Sequence, residues 1–412
     1  MSHYEYQSPL NSRYASREML HIFSSDYKYI LWRKLWVELA RAQKDLGLKI
    51  TSDQISQMER HLHEIDYTAV SRYEEELRHD VMAHIHAFGD QCPSAKPIIH
   101  LGATSCFVTD NGDLIQLREA LQIIGAKLLV LLQNFSNLAL KYRDTPCLGY
   151  THFQPAQPTT FGKRVCLWAQ DFWSDATDLV QVIENLPFLG IKGATGTQAS
   201  LLSLFKNDIK AVEECDQKIS NSFGFKKLLR ISGQTYPRKI DVHIGHFLTQ
   251  LSLSAYKFAN DLRLLCHTGE VEEPTLKKQV GSSAMPYKRN PIYSERVCSL
   301  ARFVKNTVHN LEDTAAHQWL ERSLDDSANR RIALPECFLA TDALLKICIH
   351  LSDGMVINKI KIQHLLNKEL PFLATENLLM NAVQKGKDRQ EIHELIRHYA
   401  SEVKMNLMEM TS

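Results

Sequence analysis

The chain carries almost no net charge: 48 Lys and Arg stand against 47 Asp and Glu, a formal +1. A surface so balanced offers no bulk attraction to nucleic acid or to an anionic membrane, so any anionic ligand must be held by local groups. Paired cysteines are missing too. The nine cysteines are odd in number, scattered, and include no C-x-x-C. That excludes a disulfide scaffold and fits reduced thiols in a cytosol-like compartment. No run of 18 uncharged apolar residues occurs, and Met1-Ser-His-Tyr-Glu-Tyr has neither the basic start nor the apolar stretch of an export signal. The expectation is a cytoplasmic protein with neither nucleic acid nor membrane as partner. Zinc spacing is absent: His393-Glu394 lacks a second histidine, and no Cys/His cluster forms. Repeats, linkers and low-complexity tracts are lacking. Strand alternation bounded by tight turns is nearly absent, and the one Asn-Gly, Asn111-Gly112, leads into a helix rather than a hairpin.

What is there is helical periodicity. From Leu114, apolar residues recur at Leu117, Leu121, Ile124, Leu128, Leu131, Phe135 and Leu138, the 3-4 spacing of a helix packed in a bundle. Ile240, Ile244, Phe247, Leu251, Phe258, Leu262 and Leu265 form a second stripe. Further helices are expected over about 295–320 and 328–353. Helices of roughly 30 residues are about 45 Å long. With 412 residues, 44% of them hydrophobic, two or three domains are expected. The fold class is all-α. An elongated central long-helix bundle (105–356) is flanked by smaller helical domains, N-terminal (1–104) and C-terminal (357–412). Asp26 is read as a helix cap and Gly47 as that helix's terminator.

Motif-like words fall between the long helices, where loops on a rigid scaffold carry function. The segment 281–291, Gly-Ser-Ser-Ala-Met-Pro-Tyr-Lys-Arg-Asn-Pro, joins a glycine hinge, hydroxyls, a cation and an amide. Ser282 becomes a base only if its alkoxide is stabilised by N–H groups and a cation such as Lys288. His152 stands in Gly149-Tyr-Thr-His-Phe-Gln-Pro-Ala-Gln157; read alone it is an ordinary core histidine, yet an imidazole can protonate a leaving amine. Arg78-His79-Asp80 reads alone as a helix end and Thr104-Ser105 as a turn. Arg322-Ser-Leu-Asp-Asp-Ser-Ala-Asn-Arg-Arg331 is either a charged helix cap or an anion cradle, two guanidiniums and a hydroxyl at a helix start. Arg13-Tyr14 offers similar chemistry. Gly193-Ala-Thr-Gly-Thr197 has neither P-loop nor dinucleotide spacing.

Together these words resemble the adenylosuccinate lyase family of the fumarase/aspartase superfamily, from Ser8-Pro-Leu-Asn-Ser-Arg-Tyr14 to about Arg397. The signature loop resembles the superfamily. Leu77-Arg-His-Asp80 and Leu324-Asp-Asp-Ser-Ala-Asn-Arg-Arg331 narrow the likeness to the family. The resemblance implies homotetramers with active sites shared between subunits. It also implies elimination of fumarate from two purine nucleotide substrates, with no metal or organic cofactor. By motif, Ser282 is the base, His152 the acid, and Glu295 its orienting partner. Lys288, Asn290, Thr104, Ser105 and Gln234 face the succinyl carboxylates. Arg13, Tyr14, Ser327 and Arg331 face the phosphate. Thr151, Arg78, His79, Asp80, Arg296 and Arg322 match substrate-lining positions. The chain ends before the several further helices that the family pattern leads one to expect. The alternatives are another fumarate-releasing lyase, argininosuccinate lyase-like, or a non-catalytic scaffold derived from the lyase.

Overall fold

The computed structural model describes residues 4–275, 284, 285 and 287–409. Helices dominate. The first stretch holds α1 (Arg17–Ile22), α2 (Ser25–Asp45), α3 (Ser52–Arg60), α4 (Tyr67–Leu77) and α5 (Asp80–Gln91). The middle holds α6 (Cys106–Lys141), α7 (Phe161–Asn185), α8 (Ala199–Leu204), α9 (Ile209–Ser222), α10 (Lys239–Thr268), α11 (Ile292–Ala316) and α12 (Asp326–Gly354). The last are α13 (Lys359–Leu373), α14 (Thr375–Gln384) and α15 (Arg389–Glu409). The four expected long helices are present. Among the described residues two small antiparallel sheets accompany them: β1 (Pro146–Thr151) with β2 (Gln154–Thr160), and β3 (Val271–Glu272) with β4 (Val356–Ile357).

Several local expectations need correction. Ser24, not Asp26, caps α2: its extended backbone lets its side chain accept the Tyr27 N–H, while Asp26 accepts from the Tyr67 hydroxyl. Gly47 does terminate the helix, in the left-handed region at φ +92°. Asn111-Gly112 lies inside α6 rather than before it. The buried Asn111 amide donates to the carbonyls of Phe107 and Gly190 and accepts from the N–H groups of Leu189 and Gly190. These bonds outweigh the turn preference of the dipeptide. At Gly112 a Cβ would lie 3.4 Å from the Trp32 ring, so glycine lets that ring approach the helix. The word around His152 is a β-hairpin rather than a plain loop, pairing Thr151 with Gln154 across a two-residue turn.

The residues group into two compact units. Unit 1 comprises 1–131, 172–257 and 296–349. Its core packs Trp36 against Phe88 and sets His84 on the Tyr29 ring, 3.8 Å between centroids. The α6 positions Leu114, Leu117, Leu121, Ile124 and Leu128 are buried, as their spacing predicts. One 18-residue window of α6 has a mean hydropathy of 1.5, so the helix could cross a membrane by length and composition alone. Its Lys127, however, donates to Ser16 Oγ (2.8 Å) and to Asp342. Unit 2 comprises 132–171, 258–295 and 350–412. Phe135, Phe161, Trp168 and Phe258 form its aromatic centre. The Trp168 indole N–H donates to Asp261 (2.7 Å), satisfying the buried ring.

Candidate active site

A cleft of about 750 Å³ opens in unit 1. Arg78, His79, Asp80 and Ser105 enter it from the α4–α5 joint and the start of α6. Gln234 and Arg322 enter from the segments that lead into α10 and α12, and Ser327 and Arg331 from the first two turns of α12. The α4–α5 joint is tight because Arg78 adopts a left-handed backbone (φ 53°, ψ 34°) and so ends α4 within one residue. A non-glycine residue held there stores strain, which concentrates at functional sites. His79 caps α5: its Nδ1 accepts the Met82 N–H (3.3 Å). The ring proton therefore sits on Nε2, which lies 3.4 Å from Ser105 Oγ. Asp80 accepts from Arg331 Nη2 (2.9 Å), linking the joint to α12.

Gln234 is placed by three loops in close backbone contact. Its N–H donates to the Glu321 carbonyl (2.9 Å) and its Nε2 to the Ala194 carbonyl (3.1 Å), while Oε1 accepts from Cys106 Sγ (3.2 Å). A Cβ on Gly196 would fall 1.9 Å from the Ser232 carbonyl oxygen, and one on Gly233 would fall 2.4 Å from that of Glu321. Glycine is required at both points. The glycine-rich word 193–197 is thus a spacer that brings 194, 234 and 321 together, and it places Arg322 beside Gln234.

A buried ionic network forms the floor of the cleft. Arg238 donates to Asp110 through two nitrogens (2.9 and 3.3 Å) and to Asp326 through Nε (2.7 Å). Asp326 also accepts from Arg322 (2.8 Å). Arg330 pairs with Asp241 (2.7 Å) and Asp113 (3.1 Å) and donates to the Tyr236 hydroxyl. Burial pushes the Asp326 carboxyl up, but Arg238 and Arg322 outweigh it and hold the group below the usual range. Burial likewise opposes the charge on Arg238, and Asp110 more than offsets it. The result anchors the start of α12, from whose first two turns Ser327 and Arg331 project. Pro335, inside α12, also lines the cleft. It has no N–H to give the carbonyl of Arg331, one turn back.

The other sequence candidates lie elsewhere. Thr104 precedes α6, its carbonyl accepting the Phe107 N–H (2.8 Å), and it does not line the cleft. Arg13, Tyr14 and Arg296 meet one another, with the two guanidiniums 5.9 and 5.5 Å from the Tyr14 ring centre, but not in the cleft lining. In unit 2, Thr151 ends β1 and His152 begins the turn. His152 and Phe153 are both left-handed, φ 53° and 57°. Such a turn ordinarily takes Asn-Gly. The exposed His152 has no hydrogen bond among the described residues. Glu295 is exposed in the first turn of α11. The end of that helix is fixed by Glu273, whose carboxylate accepts the Tyr293 and Ser294 N–H groups (3.0 and 2.7 Å). Lys288 is exposed and Asn290 half-buried. Ser282 lies outside the described residues.

Sequence reasoning missed Lys28, Tyr29, Asp110, Asp113, Arg238 and Arg330, all lining the cleft. The one signal available was Asp110 and Asp113, acids three apart just ahead of the apolar stripe that begins at Leu114.

A family model described as "Lyase" matches residues 19–305. The chain is 49% identical over 395 residues to the adenylosuccinate lyase of Saccharomyces cerevisiae, covering 95% of this chain and 82% of that protein. It is 48% identical to the adenylosuccinate lyase of Schizosaccharomyces pombe, with the same coverage. Among solved structures, the 3-carboxy-cis,cis-muconate lactonizing enzyme of Pseudomonas putida superposes with a TM-score of 0.85 at 23% identity, over 97% of this chain and 88% of that one. That likeness gives the fold alone. Sequence identity goes further: the chain belongs to the adenylosuccinate lyase family.

Proposed function

We propose that this protein is a cytoplasmic purine-biosynthesis lyase. It eliminates fumarate from adenylosuccinate, giving AMP, and from the succinylated aminoimidazole carboxamide ribotide. The observation that supports this best is the cleft itself, which gathers eight residues that the family resemblance names from four separate stretches of the chain. In this reading the Ser282 alkoxide takes the succinyl Cβ proton. The C–N bond breaks and its electron pair stays on nitrogen, which receives a proton from His152, oriented by Glu295. Negative charge grows on the neighbouring carboxylate, where Lys288, Asn290, Thr104, Ser105 and Gln234 stabilise it; such prepositioned donors supply the largest part of the rate. Arg13, Tyr14, Ser327 and Arg331 hold the phosphate, and Thr151, Arg78, His79, Asp80, Arg296 and Arg322 line the substrate.

Shared sites in a homotetramer follow from the same reading. The acid and the Arg13–Tyr14–Arg296 group do not line the cleft, and a second copy would supply them. Trp173 and Val180, one heptad apart on α7, are 66% and 52% exposed, an apolar face suited to such packing. The three helical regions 1–104, 105–356 and 357–412 are the domains of this reading.

The test is fumarate release from purified protein given adenylosuccinate, argininosuccinate or malate. Release from adenylosuccinate alone is expected. Release from argininosuccinate or malate instead would point to another superfamily lyase, and none at all to a scaffold.

A further inference from the structure

Among the described residues six cations line the cleft, and four are already matched by carboxylates: Arg238 by Asp110 and Asp326, Arg322 by Asp326, Arg330 by Asp241, and Arg331 by Asp80. Among the described residues, Arg78 and Lys28 have no carboxylate within ion-pair distance. Arg78 is exposed to water, but Lys28 is half-buried. It sits at the end of the first turn of α2, its ammonium 5.1 Å from the Trp32 ring centre and 5.8 Å from that of Tyr29. Aromatic faces offset only part of the cost of withdrawing an ammonium from water. Burial lowers its pKa, and the charges it feels are those of Asp113, Arg331, Asp80 and Arg330. An unmatched cation of this kind, facing a cleft, is satisfied when an anion enters.

We propose that Lys28 binds the phosphate of the nucleotide substrate, beside Ser327 and Arg331. Location selects the phosphate over the carboxylates. Lys28 lies within electrostatic range of Arg331, which the proposed function gives to the phosphate; of the groups given to the succinyl carboxylates, only the uncharged Ser105 and Gln234 line the cleft, and the cation among them, Lys288, does not. The inference rests on that reading. It adds a residue that no sequence motif marks, since Ser25-Asp-Tyr-Lys-Tyr29 reads as plain helix. Lysine suits the role because it contacts phosphate as a point charge and needs no fixed fork.

The test compares AMP with adenosine, which lacks the phosphate. Calorimetric affinities of both are measured for the wild-type protein and for Lys28→Met, Lys28→Gln and Lys28→Arg, with the KM for adenylosuccinate alongside. One charge-assisted contact predicts AMP affinity about tenfold to a hundredfold weaker in Lys28→Met and Lys28→Gln. The KM should rise in parallel, adenosine affinity should hold, and Lys28→Arg should recover most of the AMP binding. Melting temperatures of the four proteins identify any variant that fails to fold, and the two neutral variants provide alternatives for each other. Unchanged AMP affinity, or an equal loss for adenosine, overturns the assignment while leaving fumarate release by the wild type intact. A wild type that neither binds AMP nor releases fumarate overturns the assignment and the proposed function together.

Discussion

Replacing Arg238 with methionine tests whether the cleft rests on its ionic network. The side chain is 1% exposed and makes three hydrogen bonds to two carboxylates. Methionine matches much of its length but removes the charge. Asp110 then keeps the Tyr236 N–H (3.0 Å) and the Thr109 hydroxyl (3.3 Å) but no paired cation, while Asp326 retains Arg322. Stranding a buried charge in this way costs about 3–5 kcal/mol. A Coulomb estimate agrees: a unit pair about 4 Å apart at an effective dielectric near 20 is worth about 4 kcal/mol. That is a large part of the roughly 5–15 kcal/mol that holds a typical domain folded. Urea-unfolding midpoints of purified protein measure the loss. Adding Asp110→Asn and Asp326→Asn removes both carboxylates that Arg238 had matched, leaving only the partly exposed Arg322 to be hydrated, and should return the triple variant to within about 1–2 kcal/mol of wild type, since replacing a whole buried ion pair is often nearly neutral. A single-variant loss under about 1 kcal/mol, or a triple variant no better than the single, would refute the reasoning.

Other expectations concern the chemistry and the core. His152→Ala and Ser282→Ala should each lower turnover by about 10² or more with the fold intact, as for loss of a general acid or base; near-normal turnover in steady-state assays removes that residue from its role. Mixed oligomers of these two inactive proteins should regain part of the activity if acid and base come from different chains. Arg331→Ala should raise KM about tenfold to a hundredfold and discriminate little against a dephosphorylated substrate; equal losses on both would place the cradle elsewhere. Burial first, and Arg33 second, lower the pKa of His84 to about 4. The unfolded chain then binds the proton more readily, so this contribution is complete above about pH 6.5 and is lost as pH falls toward 4, about 3 kcal/mol in all. His84→Phe should flatten the melting temperature across that window, and an unchanged slope would count against it.

The helices were legible because burial imposes a period. Leu114 through Leu138 repeat their apolar spacing, and the structure buries that stripe. The site was legible where a motif fixes several residues at once, as at Arg78-His79-Asp80. Lys28 and Arg238 were not legible, because their meaning lies in partners far along the chain; Arg238 reaches Asp110 across 128 positions. The hairpin at His152 was missed for a local reason: a turn with positive φ at both residues is announced by Asn-Gly, and His-Phe gives no such notice. Asn111-Gly112 erred the other way, its turn preference overruled by hydrogen bonds to Leu189 and Gly190 that no local window contains.

Pro335 carries a consequence for motion. The helix it interrupts presents Ser327 and Arg331 on one side of the break and runs on to Gly354 on the other. A ladder missing one rung does not open as a single unit, so the opening turn of α12 can swing or re-seat without unwinding the long buried stretch behind it. Amide protons in that stretch should exchange with deuterium far more slowly than those of the opening turn. What ties the turn down is then its ionic anchorage through Asp326 and Arg330, and a ligand's phosphate arriving at Ser327 and Arg331 would meet a clasp that can close by its own small movement.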